Sequence, residues 1–265
     1  MKVYDCKTIE EAIAKGMEIV TLWGKSENDM TTDVWFRGVP DNELELQPSA
    51  YWKKADENST FVSFKQIVPT MVDTKTFDSW DFYCLARHHG IPTRLLDWSE
   101  GLLKAIFFAF DKWDGKTTPC IWVLRPHLLN KNVIKDGSIF SPNSHDDEVA
   151  GALKLWLPPI INGSKTVAGV EWKNDHPIAI YPSRSNSRIG DQLGTFTVHG
   201  VNEEPLEKYI SKLPDPDDIL IRINLIGFDV EGVKRQLWYM GLRQSTIYSD
   251  PDHLAKDVCY AYGCN

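Results

Sequence analysis

Apolar residues recur every three or four positions over several stretches of the chain, each bracketed by residues that start or stop a helix. Ile9, Ala12, Ile13, Met17 and Val20 follow Thr8-Ile9-Glu10-Glu11, a capping box in which a hydroxyl and a carboxylate three residues on close the first turn. A polar run from Gly24 to Thr32 ends that helix. Asp78 or Ser79 caps another through Phe82, Leu85 and Ala86, with Gly90 as its left-handed terminator and Pro92 two residues on. Leu102, Leu103, Ile106, Phe107 and Phe110 form a third stripe, with Ser99 as cap and Glu100 in the first turn, where the helix dipole favours a carboxylate. Ser144 caps a helix through Val149, Leu153 and Trp156 that Pro158-Pro159 ends, and Val230, Val233, Leu237 and Met240 mark one that stops at Gly241. A last short helix covers about His253 to Tyr262.

Between these helices the pattern is extended. Val34-Trp35-Phe36-Arg37 reads as a short strand stopped by Gly38-Val39-Pro40, and Thr93 to Asp97 as a brief extended piece. Cys120-Ile121-Trp122-Val123-Leu124 is a continuous apolar run of the central-strand kind. Ile178–Tyr181, Thr195–Val198 and Ile219–Ile223 also predict strands, whereas the acid-rich stretch from Val201 to Asp218 predicts a solvated face. Helices and strands mix without a strict βαβ alternation, which predicts an α+β fold with a helical N-terminal part packed on a sheet.

Composition narrows the possible functions. At 265 residues, 42% hydrophobic and 25% charged, the chain is an ordinary globular one and neither collagen-like nor disordered. No apolar run approaches the ~18 residues of a membrane span, and Met1 to Cys6 lack a secretory layout, so a soluble cytoplasmic protein with no membrane contact is expected. A net charge of −8 argues against a protein held on duplex nucleic acid by phosphate neutralisation, but leaves small anionic ligands open. The five cysteines are scattered without a C-x-x-C pair, which predicts neither a disulfide framework nor a zinc site. Ten tryptophans are destined for core or groove walls.

Glycine-rich phosphate loops, nucleophile elbows and H-E-x-x-H are absent. His88-His89 is a poor metal motif, since adjacent helical residues point about 100° apart, and no metal is expected. What remains is a polar cluster in apolar surroundings: Arg87, His88 and His89 at a helix end, then Arg94, Asp97 and Ser99. It is either an internal Arg94–Asp97 salt bridge fixing the connection or a pocket floor facing a ligand. Arg37 is likewise either a buried ion-pair partner or a bidentate fork for a phosphate, with Gly38 letting a ligand approach the backbone. Arg184 to Gly194, with Arg188 and Gln192, is a polar segment leading into a strand, most simply a surface loop.

Taken together, these segments resemble the FRG domain, a family named for its Phe-Arg-Gly motif. Phe36-Arg37-Gly38 supplies that motif, and the run from Arg87 through Pro92, Arg94, Asp97 and Ser99, followed by Ala105, Phe107, Phe108 and Ala109, is similar to the most distinctive stretch. Arg188-Ile189, Gln192, Gly194 and Phe196 resemble a third motif, and Lys234 to Asp252 the family's ending. The resemblance implies an N-terminal helical segment (1–30), an FRG domain (31–256) and a short tail (257–265) in one compact unit.

The family's layout resembles in turn that of ADP-ribosyltransferases, which implies a split antiparallel or mixed sheet with flanking helices and NAD, as substrate, in its cleft. On that likeness Arg37 and Gly38 meet the phosphates, Trp98 or Phe196 stacks on nicotinamide, and His89 or Thr93 holds the ribose or amide, with Arg94, Ser99 and Arg188 in the same cleft. Gln192 stands where those enzymes carry a catalytic glutamate, so Asp97 is the residue left to supply negative charge; Arg37, Asp97 and Gln192 form the expected catalytic set. The expected activity is transfer of ADP-ribose to RNA, DNA or a protein, as a toxin of a toxin–antitoxin or antiviral defence system with an antitoxin partner. The alternative is a non-catalytic nucleotide or nucleic-acid binding module.

Overall fold

The computed structural model describes residues 1–24, 33–54, 56–142, 146–159, 163–182, 194–248 and 250–264. The chain opens with a strand that the pattern did not predict, β1 (Val3–Cys6), followed by α1 (Ile9–Gly24). Thr8 Oγ1 accepts from Glu11 N at 3.1 Å, while the Glu11 carboxylate accepts from Lys7 N at 2.7 Å rather than from the cap residue itself. Next come β2 (Trp35–Val39), α2 (Ser49–Trp52), α3 (Glu57–Ile67), α4 (Ser79–His88), β3 (Leu95–Ser99), α5 (Leu102–Asp111) and β4 (Cys120–Leu124). The second half holds α6 (Pro126–Val133), α7 (Asp147–Leu153), a hairpin of β5 (Ser164–Val167) and β6 (Val170–Lys173), β7 (Ile178–Ile180), β8 (Gly194–Val198), α8 (Leu206–Ile210), α9 (Pro216–Ile219) and β9 (Leu220–Leu225). It ends with α10 (Val230–Tyr239), α11 (Gln244–Tyr248) and α12 (Pro251–Tyr262). Helix α12 runs unbroken across residue 257, where a tail was expected to begin.

Four local expectations need correcting. Gly38 and Val39 do not stop β2; they pair with Ile121 and Cys120 as its last two residues. Ser99 does not cap α5: it ends β3, and its Oγ accepts from Gly101 N at 3.1 Å, so the turn consumes the hydroxyl before the helix starts at Leu102. Asp146 caps α7 through Glu148 N and Val149 N, and Ser144 lies outside the described residues. That helix stops at Leu153, and Trp156 sits in a following 3₁₀ turn. At α4 the expectation stands: of the two candidates Asp78 is the cap, in a capping box with Asp81 that the pattern did not predict, and Gly90 adopts φ +80° beyond its end.

Seven strands form one mixed sheet in the order β1-β9-β4-β2-β3-β8-β7, with β1 parallel to β9 and the other neighbours antiparallel. One face is a continuous core in which Trp35, Leu96, Trp98, Trp122 and Leu124 meet Leu129 of α6 and Leu206 and Ile210 of α8. The other face is covered in two blocks. Helices α1, α5 and α10 lie over Phe36, Val123 and Ile223, while α3, α4 and α7 lie over Leu95, Phe196 and Val198. The seam between the two blocks falls where β2 meets β3.

Candidate functional site

Strand β2 pairs with β4 along all five residues, and β3 pairs with β8 along all five, yet β2 and β3 share the single pair Phe36–Ser99. Beyond that pair the strands diverge. Arg37, the next residue on β2, bridges the gap: its Nη1 donates to the Asp97 backbone oxygen at 2.7 Å. The same nitrogen lies 3.8 Å from Asp97 Oδ2. The side chain thus satisfies a carbonyl that the split would otherwise leave without a strand partner.

Asp97 is anchored from the opposite side by α4. Arg87 Nε donates to Oδ2 at 3.1 Å and to Oδ1 at 3.3 Å, Nη2 also donates to Oδ2, and Nη1 reaches Ser49 Oγ at 3.2 Å. The carboxylate remains 45% exposed, against 22% for either arginine, so it faces open space rather than core. Burial pushes its pKa up, but Arg87 and then Arg37 outweigh that and hold it below the ordinary carboxylate value. Arg37 shifts the other way: burial, only partly offset by Asp97 and reinforced by Arg87, lowers its pKa to about 10.

These groups line a crevice of about 400 Å³ between α4 and α5, within the usual range for small-molecule sites. Its walls include Phe108 of α5, Phe196 of β8 and Tyr248 of α11. Phe196 pairs with Asp97 across β8 and β3 and therefore shares its face. Arg37 Nε and the Thr195 hydroxyl, which lies on the Trp98 face of β8, are buried and have no hydrogen-bond partner among the described residues.

The candidate residues sort into three groups. Arg37, Gly38, Asp97, Trp98, Ser99 and Phe196 all line the crevice. Trp98 is committed to the other face of the sheet, where Nε1 donates to Thr197 Oγ1 at 3.1 Å. Gly38 serves the fold rather than a ligand's approach: a Cβ there would lie 1.8 Å from Ala105 O and 2.6 Å from Ala109 N, because β2 rests directly on the α5 backbone. His89, Thr93 and Arg94 are not brought to the crevice. His89 is exposed at the end of α4, its ring 6.3 Å from that of Phe64. Thr93 is buried, its N–H donating to Ser49 Oγ at 3.3 Å. Arg188 and Gln192 lie outside the described residues.

Arg94 has its own closed network. It is 0% exposed; Nε donates to Glu57 Oε2 at 2.8 Å, Nη1 to His199 O at 2.9 Å, and Nη2 to Trp156 O. Its backbone N–H donates to Glu57 Oε1 and to Tyr83 OH, and that hydroxyl donates to Glu57 in turn. The internal Arg94–Asp97 bridge does not form. Side chains three residues apart on an extended chain leave opposite faces, so Arg94 takes Glu57 and Asp97 takes Arg87. Glu57, Thr195, Phe108, Asp111 and Tyr248 were not expected as site residues; for Glu57 the only local signal is its place beside the Asp56 cap of α3.

Among the described residues no group of His, Cys, Asp and Glu is placed to hold a metal, and no described helix is long and apolar enough to cross a membrane. No curated protein and no solved structure matches the chain. The family model of the FRG domain matches residues 32–117, a third of the chain. That stretch holds β2, α4, β3 and α5, and with them Arg37, Arg87 and Asp97, while the third motif and the ending lie beyond it. The residues that build the floor of the crevice therefore fall within the stretch, residues 32–117, that matches the FRG domain.

Proposed function

We propose that the crevice binds NAD and that the protein transfers its ADP-ribose to a nucleophilic group on a nucleic acid or protein. The observation that carries this reading is the divergence of β2 from β3, with the Arg37 guanidinium and the Asp97 carboxylate on facing lips of one aromatic-walled cavity. The resemblance to ADP-ribosyltransferases supplies the reaction class, and the electrostatics of the site are compatible with it.

Arg37, which lines the crevice, meets the diphosphate, for which the planar guanidinium fork is suited. As the bond between ribose and nicotinamide breaks, its electron pair leaves with nicotinamide and positive charge grows on the ribose carbon. Asp97, ionised at neutral pH and fixed by Arg87, presents negative charge to that carbon. The acceptor's nucleophile forms the new bond and releases its proton. Phe196 beside Asp97 helps exclude water. Gln192 belongs to the proposal on the resemblance alone, as the amide that orients the 2′-hydroxyl.

Release of nicotinamide from NAD by the purified protein tests the reading. Arg37→Lys and Asp97→Asn should each slow release by about 100-fold or more, the usual loss on removing a group that stabilises transition-state charge. Both variants should stay folded. No release, with or without cell extract as a source of acceptor, overturns the proposal.

A further inference from the structure

The end of the crevice formed by α5 and α11 is electrostatically unlike the arginine end. Asp111, the last residue of α5, and Tyr248, the last of α11, line the cavity together with Phe108. Asp111 Oδ2 accepts from Tyr248 OH at 2.8 Å, and Oδ1 accepts from Gln244 Nε2. Both donors are neutral. Among the described residues no Lys, Arg or His pairs with this carboxylate, and Lys112, which lines the same mouth, makes no ion pair. Asp97, by contrast, sits between two arginines.

The tyrosine bonded to the Asp111 carboxylate belongs to a cluster of aromatic rings. Tyr248 meets Phe107 and Phe108 edge-on, with centroids 6.2 and 6.0 Å apart, and stacks on His253 at 4.1 Å. The hydroxyl bond to Asp111 and the His253 stack hold the Tyr248 ring in place. An uncompensated carboxylate beside aromatic rings attracts a flat cation, through direct charge and through the ring quadrupoles.

We infer that the Asp111–Tyr248 end of the crevice takes a planar cationic ring, and so selects oxidised over reduced nicotinamide dinucleotide. The inference rests on the crevice being the NAD site. NAD⁺ carries a positive pyridinium ring and an anionic diphosphate, which match the lone carboxylate at one end and the paired arginines at the other. NADH has the same diphosphate and a neutral ring. Asp111 then acts as a specificity residue through charge, while the Tyr248 ring walls the same end of the crevice.

Calorimetry on the full chain separates the possibilities, using NADH, ADP-ribose, and a carbocyclic NAD⁺ analogue that keeps the cationic ring and cannot be cleaved. Wild type should bind the analogue about tenfold more tightly than NADH, a difference within the range of a partly desolvated cation–aromatic and ion-pair contact. Asp111→Asn should abolish that preference by weakening the analogue alone, with ADP-ribose, which lacks the ring, bound equally by both proteins. Tyr248→Phe, which drops only the hydroxyl, should retain the preference. Equal affinity of wild type for the analogue and NADH overturns the inference and leaves the NAD site intact, and it needs no variant to fold. A preference that survives in Asp111→Asn also overturns it. Failure of all three ligands to bind wild type removes both the NAD reading and this inference.

Discussion

The two ion pairs beside β3 should respond oppositely to loss of charge, and Glu57→Gln is the sharpest perturbation. Glu57 is 8% exposed and Arg94 0%, and the Glu57 carboxylate accepts from the Arg94 side chain, the Arg94 backbone and Tyr83. The glutamine has the same shape but no charge, which leaves the Arg94 guanidinium buried beside two carbonyls and no counter-ion. Orphaning one member of a buried pair costs about 3–5 kcal/mol, and an isosteric amide that still accepts one bond should fall near ~3. At roughly 2–4 °C per kcal/mol for a chain of this size, the thermal midpoint should drop by about 6–12 °C. Asp97→Asn, at a carboxylate nearly half exposed, should move the midpoint far less while removing nicotinamide release. Differential scanning calorimetry with the release assay on the same preparations decides it. If Glu57→Gln melts with wild type, or Asp97→Asn melts lower than Glu57→Gln, the division into a scaffold pair and a site pair is wrong.

Three further outcomes follow from the structure. His199 is fully buried, and burial, then Arg94 and Arg37, lower its pKa from 6.5 to about 3. The unfolded chain therefore binds a proton that the folded one does not between those values, so stability present above pH 6.5 should fall by about 1.4 kcal/mol per pH unit below it; urea titrations should show a shallower fall for His199→Gln. Asp97 has a depressed folded pKa, so its contribution should be fully present above the ordinary value of 3.8 and vanish as pH drops through the lower folded value; the midpoints of wild type and Asp97→Asn should converge there. Gly38→Ala should force β2 off α5 at a cost of about 3 kcal/mol or more, because the new methyl meets backbone that cannot rotate away; a melt within two or three degrees of wild type would contradict that packing.

What could be read from the sequence was what local chemistry encodes. The helix cap at Asp78, the left-handed Gly90 and the apolar stripe from Leu102 to Phe110 each lie within a few residues of what they control, and all three formed. Arg37 and Asp97 were legible as charges embedded in apolar runs, and they meet across the sheet split. Pairing between distant segments was not. Glu57 meets Arg94 across 37 positions and Asp111 meets Tyr248 across 137, and no periodicity reports such contacts. β1 escaped because a four-residue edge strand with one buried side chain has little alternation to display. Gly38, read as making room for a ligand, was misread for a related reason: a glycine serves a ligand's approach and a helix's approach equally well, and only Ala105 and Ala109, packed against it, tell which.

Binding of the uncleavable NAD⁺ analogue to wild type and to Arg37→Lys, compared by calorimetry, tests the crevice most directly. The account predicts binding to wild type and a dissociation constant at least about tenfold higher for the lysine variant, since a single ammonium cannot reproduce the guanidinium fork. Equal dissociation constants for the two proteins would show that the ligand does not sit where β2 and β3 part.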